Sequence, residues 1–145
     1  MRFMVMVKAT AESEKEGSLP DPQLMAEMGK FNEELIKAGI VLAMDGLQPS
    51  SKGARVKFSG KNRTVIDGPF TEAKELIAGF WIWQVKSLEE AIAWVKRAPS
   101  SDAGDYEVEI RQVGEMEDFA DILSDEEIHY KIAKRAELPN QTFNK

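Results

Sequence analysis

An α+β fold in the order βαββαβ, with helices on one face of a sheet and the other face bare, is the class this sequence predicts. Three observations predict it. Residues 2–8 and 77–85 are apolar in both alternating sets of side chains, the pattern of strands covered on both faces. Helical periods follow Asp21-Pro22 and Ser87, so each of these strands feeds a helix. A closing strand near residue 110 alternates apolar with charged side chains, as a strand with one buried face does.

In the first strand, Phe3, Val5 and Val7 take one side and Met4 and Met6 the other, which implies a central position. Residues 10–20 are polar, hold Gly17 and Pro20, and show no period. They read as a mobile loop, either a plain surface linker or a lid over a pocket. Asp21 is an N-cap with Pro22 at the first helical position, and Leu24, Met28, Phe31 and Leu35 repeat at helical spacing until Gly39. A strand follows at Ile40–Leu47. Ala54–Phe58 and Arg63–Asp67 form an inserted hairpin that turns at Gly60, Lys61 and Asn62.

From Thr64 a β-branched run stops at Asp67-Gly68-Pro69, crosses a charged segment and re-enters an aromatic-rich strand at Ile77–Val85. Charged residues between two buried strands are held by rigid neighbours yet reach solvent, so a site is expected there. In the strand at 77–85, Ile77, Gly79, Trp81, Trp83 and Val85 share one face, and Ala78, Phe80 and Ile82 the other. Ser87-Leu88-Glu89-Glu90 is a capping box, and Leu88, Ile92 and Val95 give the helix its apolar side before Pro99. The closing strand, Tyr106–Val113, points Tyr106, Val108 and Ile110 one way and Glu107, Glu109 and Arg111 the other.

Without the hairpin, the order is the split βαβ of ferredoxin-like folds, with the first and third strands central. Two helices cover one face, so the apolar side chains on the other need a partner. A homodimer packed sheet to sheet is expected. Beyond Gly114 the chain turns acidic. Glu115–Leu123 reads as a short helix, and Ser124-Asp125-Glu126-Glu127 caps another bearing Ile128, Ile132 and Ala136. This arm, residues 115–145, is an extension to a domain at 1–114, and Pro139–Lys145 should fray.

A length of 145 residues suits one domain, and 43% hydrophobic with 30% charged residues is ordinary globular composition. No apolar run approaches the roughly 20 residues of a spanning helix, and Met1 opens directly into a strand pattern rather than an export signal. No membrane role and a cytoplasmic location are the expectations. Without cysteine there is no thiol nucleophile, disulfide or thiolate site, and the lone His129 cannot build a histidine metal centre. A net charge of −6 repels a phosphate backbone, so no nucleic-acid partner is expected.

At Asp67-Gly68-Pro69-Phe70-Thr71-Glu72-Ala73-Lys74-Glu75, followed by Ala78-Gly79-Phe80, the sequence resembles the DGPF family of YCII-related proteins. The Met-rich opening strand, Ala38-Gly39-Ile40, Gly46-Leu47 with Pro49, Glu89-Glu90-Ala91 and Glu107-Val108-Glu109-Ile110-Arg111 extend the resemblance over residues 1 to about 114. It implies a ferredoxin-like dimeric α+β barrel. It names no single reaction: some members accompany extracytoplasmic-function sigma factors, and others resemble lyases that use a His-Asp pair. His129 lies outside the matching region, so acid–base chemistry here would rest on carboxylates.

Asp67 either shapes its turn by accepting amide hydrogen bonds or acts as a general base at the mouth of an inter-subunit pocket. Phe70, Lys74 and Glu75 belong to the same stretch and are candidate ligand contacts, although surface ion pairing also accounts for the charged pair. Glu107, Glu109 and Arg111 point at the bare face, where Arg111 could hold an anionic small molecule through its planar fork or join ion pairs bridging subunits. Trp81, Trp83 and Phe80 are core, interface or pocket lining. Asp67, Glu107 and Glu109 lack the spacing of a carboxylate cation loop, so no metal is expected, nor any cofactor. Two functions follow: a homodimer binding a small anionic molecule, conceivably a cofactor-free lyase or isomerase, and a regulatory or accessory module that docks a protein partner through its acidic arm.

Overall fold

The computed structural model describes residues 1–100 and 104–139. The chain runs through β1 (Arg2–Lys8), α1 (Pro22–Lys37), β2 (Val41–Gly46), β3 (Ala54–Ser59), β4 (Asn62–Asp67), β5 (Ile77–Gln84), α2 (Leu88–Val95), β6 (Val108–Gln112) and α3 (Asp125–Ala136). Short 3₁₀ turns stand at Ser50–Lys52, Ala73–Glu75 and Met116–Phe119. Four strands pair antiparallel in the order β2-β5-β1-β6, and β3 and β4 make a separate two-stranded sheet. The two doubly apolar strands, β1 and β5, are the central pair of this ferredoxin-like α+β fold.

Register sorts the side chains. Phe3, Val5 and Val7 lie opposite Trp83, Trp81 and Gly79 on β5, while Val5 and Val7 face Ile110 and Val108 on β6. Phe31 and Leu35 of α1 and Ala91 of α2 close over this face, joined by Ile40 and Val85. The Phe31 ring meets Trp81 edge-on at 6.1 Å, and Trp81 packs against Trp83 at 5.6 Å. Each fully buried side chain of this size contributes roughly 1.5–3 kcal/mol. Met4 and Met6, opposite Ile82 and Phe80, lie on the other face and are only half-buried.

Local signals built the helices as expected. Asp21 Oδ1 accepts from Gln23 N–H at 3.1 Å, and Ser87 Oγ accepts from Glu90 N–H at 3.1 Å, while the Glu90 carboxylate accepts from Lys86 N–H at 2.8 Å instead of the Ser87 N–H that a full capping box would use. The exit from α1 needs Gly39 in the left-handed region, at φ +72°, so that Ile40 N–H can reach the Leu35 carbonyl.

Three expectations change. The strand ending at Asp67 is not buried: every residue of β3 and β4 is exposed, because the hairpin stands off the main sheet. In α2 the inward side is Ala91 with Trp94 and Val95, whereas Leu88 and Ile92 are 43% and 39% exposed. Both stripes satisfy helical spacing, and the small Ala91 lets the helix approach the sheet closely. The acidic stretch at 115–123 forms a 3₁₀ turn rather than a short α-helix, with Asp118 accepting from Glu115 N–H at 2.7 Å. The arm is fastened to β1, where Arg2 donates to both carboxylate oxygens of Glu115 at 2.7 and 2.9 Å. The expected fraying at 140–145 lies outside the described residues. Among those described, no helix is long and apolar enough to cross a membrane.

Candidate functional site

At the end where β1 finishes and β5 begins, a cleft of about 450 Å³ opens between α1 and the β2–β5 side of the sheet. Val7, Gly79 and Trp81 line it from the sheet, Met28 and Asn32 from α1, and Met44, Asp45 and Gly46 from β2. A Cβ on Gly79 would lie 3.1 Å from the Asp45 carbonyl oxygen, a tight approach that a side chain could make only if β2 shifted slightly. The missing side chain also opens the cleft. The indole N–H of Trp81 donates to Asn32 Oδ1 at 2.8 Å, which leaves the Asn32 amide NH₂ free of hydrogen bonds among the described residues. The lining is otherwise thioether, aromatic and aliphatic, and Asp45 is the one residue of ionisable type among the described lining residues.

The same end of the molecule carries the Asp67-Gly68-Pro69-Phe70 turn, packed on the 3₁₀ turn at Ser50–Lys52. Gly68 N–H donates to the Gly53 carbonyl at 3.0 Å, and a Cβ on Gly68 would fall 1.7 Å from the Ser50 carbonyl oxygen. Only glycine permits that approach. Phe70 N–H donates to Ser50 Oγ at 3.0 Å, and the Arg55 guanidinium sits 3.8 Å above the Phe70 ring. Glu14 reaches in from the 10–20 loop. Its carboxylate accepts from Ser50 N–H at 3.2 Å and from the Ser50 hydroxyl, so loop, turn and hairpin foot form one knot. The loop is shaped locally as well, because Thr10 and Ser13 exchange backbone-to-side-chain hydrogen bonds.

The residues singled out from the sequence are dispersed. Asp67 ends β4, exposed, and its carboxylate makes no hydrogen bond among the described residues; Ser50 and Gly53, not Asp67, hold the turn. Lys74 and Glu75 are exposed in the 3₁₀ turn at Ala73–Glu75. Glu109 lies opposite Met6 on the bare face, its carboxylate 3.4 Å from Lys8 Nζ. Arg111 lies opposite Met4 on that face, exposed and without an ion pair among the described residues. Glu107 precedes β6, is exposed, and lends its carbonyl to Lys8 N–H at 2.9 Å. Asp67 and Arg111 therefore occupy different parts of one subunit, and none of these residues lines the cleft. Among the described residues no three histidine, aspartate or glutamate side chains converge on a metal position.

Sequence alone placed Met28 on the apolar stripe of α1 without assigning it to a site, and it did not point to Asn32, Met44 or Glu14. One signal was available for Asn32: a polar residue beside Phe31 on the inward stripe of α1 must be hydrogen-bonded or open to solvent.

A family model described as YCII-related domain matches residues 1–117. An uncharacterised protein of Rhizobium meliloti (strain 1021) is 29% identical over 90 residues, covering 61% of this chain and 73% of the relative.

Proposed function

The chain belongs to the YCII-related domain family, and from that premise we propose that it is a homodimer that binds a small molecule in the cleft between α1 and the sheet. The observation that supports the reading is the lining: a mostly apolar concavity with one hydrogen-bonding amide, Asn32, fixed by Trp81. Sites of this kind bind through apolar contact and orient through a few polar groups. The ligand that suits it is small and largely apolar, with a carbonyl or hydroxyl acceptor placed to receive the Asn32 NH₂.

The anionic ligand expected from Arg111 belongs elsewhere, between the bare faces of two subunits. There the exposed guanidinium beside Met4 would be drawn out of water and could hold a carboxylate in bidentate fashion. A cofactor-free lyase or isomerase reaction needs a base, and Asp67 is the candidate because its carboxylate is not engaged in holding its own turn. The partner-docking reading draws support from the acidic arm, where Ile122 is 76% exposed.

Native mass spectrometry of the chain after exposure to a cell metabolite extract tests these readings together. Met28→Trp, which fills the cleft, should abolish retention of a cleft ligand, and Asn32→Ala should weaken it about tenfold. Arg111→Ala should leave that ligand bound. If retention instead disappears with Arg111→Ala and survives Met28→Trp, the ligand sits between subunits and the cleft assignment is wrong. Asp67 does not line the cleft, so Asp67→Asn should leave cleft retention intact and abolish turnover only of a compound held between subunits.

A further inference from the structure

The hairpin and the acidic arm take no part in the cleft, and each presents apolar side chains to water. A two-stranded hairpin is marginally stable on its own. Here Val56 and Val65 pair on one face with Phe58 beside them, and they are 51%, 64% and 69% exposed. Between residues 52 and 66 the chain carries Lys52, Arg55, Lys57, Lys61 and Arg63 and no carboxylate. The arm is the reverse. From Glu115 to Glu127 it carries seven carboxylates, with no lysine or arginine before Lys131, around Phe119 and Ile122 at 40% and 76% exposure. Lys61 at the turn, Arg63 on the Phe58 face, and Glu117, Asp121, Asp125 and Glu126 on the arm form no ion pair among the described residues.

We infer that the hairpin of one copy of this chain docks on the acidic arm, residues 115–127, of a second copy. Placement within the subunit is what selects a second copy. The hairpin springs from the end of the sheet where β1 finishes, knotted to Ser50. Arg2 pins the arm at the start of β1 through Glu115. The two surfaces thus sit toward opposite ends of the central strand. A twofold axis crossing the strands brings the end of β1 in one copy beside its start in the other, so both hairpin–arm contacts form at once. Opposite charge sets the register, and the apolar side chains leave water.

This contact rests on the homodimer proposed above, and the test separates the two. The chain has no cysteine, so introduced thiols report without background. Phe58→Cys and Ile122→Cys chains, mixed in equal amounts and treated with a short bismaleimide, should give a cross-linked pair made of unlike chains. Neither variant alone should cross-link to a comparable extent. Lys61→Glu/Arg63→Glu, at the turn and on the Phe58 face, should weaken self-association about tenfold, and Asp121→Lys/Glu126→Lys on the same chain should restore it. Light scattering that reports a dimer while unlike chains fail to cross-link overturns the hairpin–arm contact and leaves the homodimer standing. An intrachain cross-link in the double variant Phe58→Cys/Ile122→Cys overturns it too, since the arm would then serve its own hairpin. A monomer at all concentrations removes both.

Discussion

The two faces of the four-stranded sheet are built from alternate residues of the same strands, yet they live in different solvents. On one, Val5 and Trp83 are fully buried beneath α1 and α2. On the other, Met4, Met6, Phe80 and Ile82 are side chains of the same chemistry left half-exposed. Composition does not separate the faces; the number of helices does, since two helices have enough apolar surface to cover one face of four strands. Burial on the first face is therefore completed in the subunit, whereas on the second it would be completed only by the homodimer proposed above. The Trp81 indole N–H is satisfied by Asn32 within the core, while Arg111 on the other face has no ion pair among the described residues.

The sharpest way to break this comparison is to place one charge on each face of β5. Trp81→Glu puts a carboxylate into the core beside Phe31 and should cost more than about 4 kcal/mol, enough to abolish a cooperative thermal transition. Ile82→Glu, one residue away, should leave the subunit folded by circular dichroism. Its mass by light scattering should drop from twice the 16.3 kDa chain to one. If both variants unfold, or the wild-type chain is already a monomer, the second face is not an interface.

A smaller effect sharpens the covered face. Trp83 is fully buried with its indole N–H unpartnered among the described residues, whereas that of Trp81 is bonded. Trp81→Phe strands the Asn32 carbonyl, and Trp83→Phe removes an unsatisfied donor, so Trp81→Phe should be the costlier by about 1 kcal/mol in chemical denaturation. Equal losses would show that volume alone matters at both positions.

The smallest effect concerns the bare face where the arm meets it. The Arg2 guanidinium, hydrogen-bonded to Glu115, holds that carboxyl below its usual range. A carboxylate with a depressed folded-state pKa adds stability above its unfolded-state value and loses it as pH falls through the folded-state value. Glu115 is partly solvent-screened, so the contribution should stay below about 1 kcal/mol. The wild-type chain should lose this increment on acidification below the ordinary carboxylate range, and Glu115→Gln should lack it at every pH, as read by urea midpoints. A parallel pH dependence in the two proteins would remove the tether.

What the sequence by itself determined was everything governed by neighbours within a few residues. Alternation placed Phe3, Val5, Trp81 and Trp83 on one face and Met4, Met6, Phe80 and Ile82 on the other, because a strand's period is geometric. The caps at Asp21, Ser87 and Ser124 were legible because a cap hydrogen bond spans two or three residues. Tertiary structure decided the rest. Leu88 and Ile92 matched the helical period as well as Ala91 and Trp94 did, and only docking against the sheet chose between them. The β-branched run ending at Asp67 is a strand, but whether a strand is buried depends on what packs against it, and the contacts at the hairpin foot leave every residue of β3 and β4 exposed. Glu14 and Ser50 lie 36 positions apart, and the cleft draws on α1, β2 and β5 at once. A site assembled from such distant segments has no local period to betray it, because the free energy that assembles it comes from packing that no single segment contains.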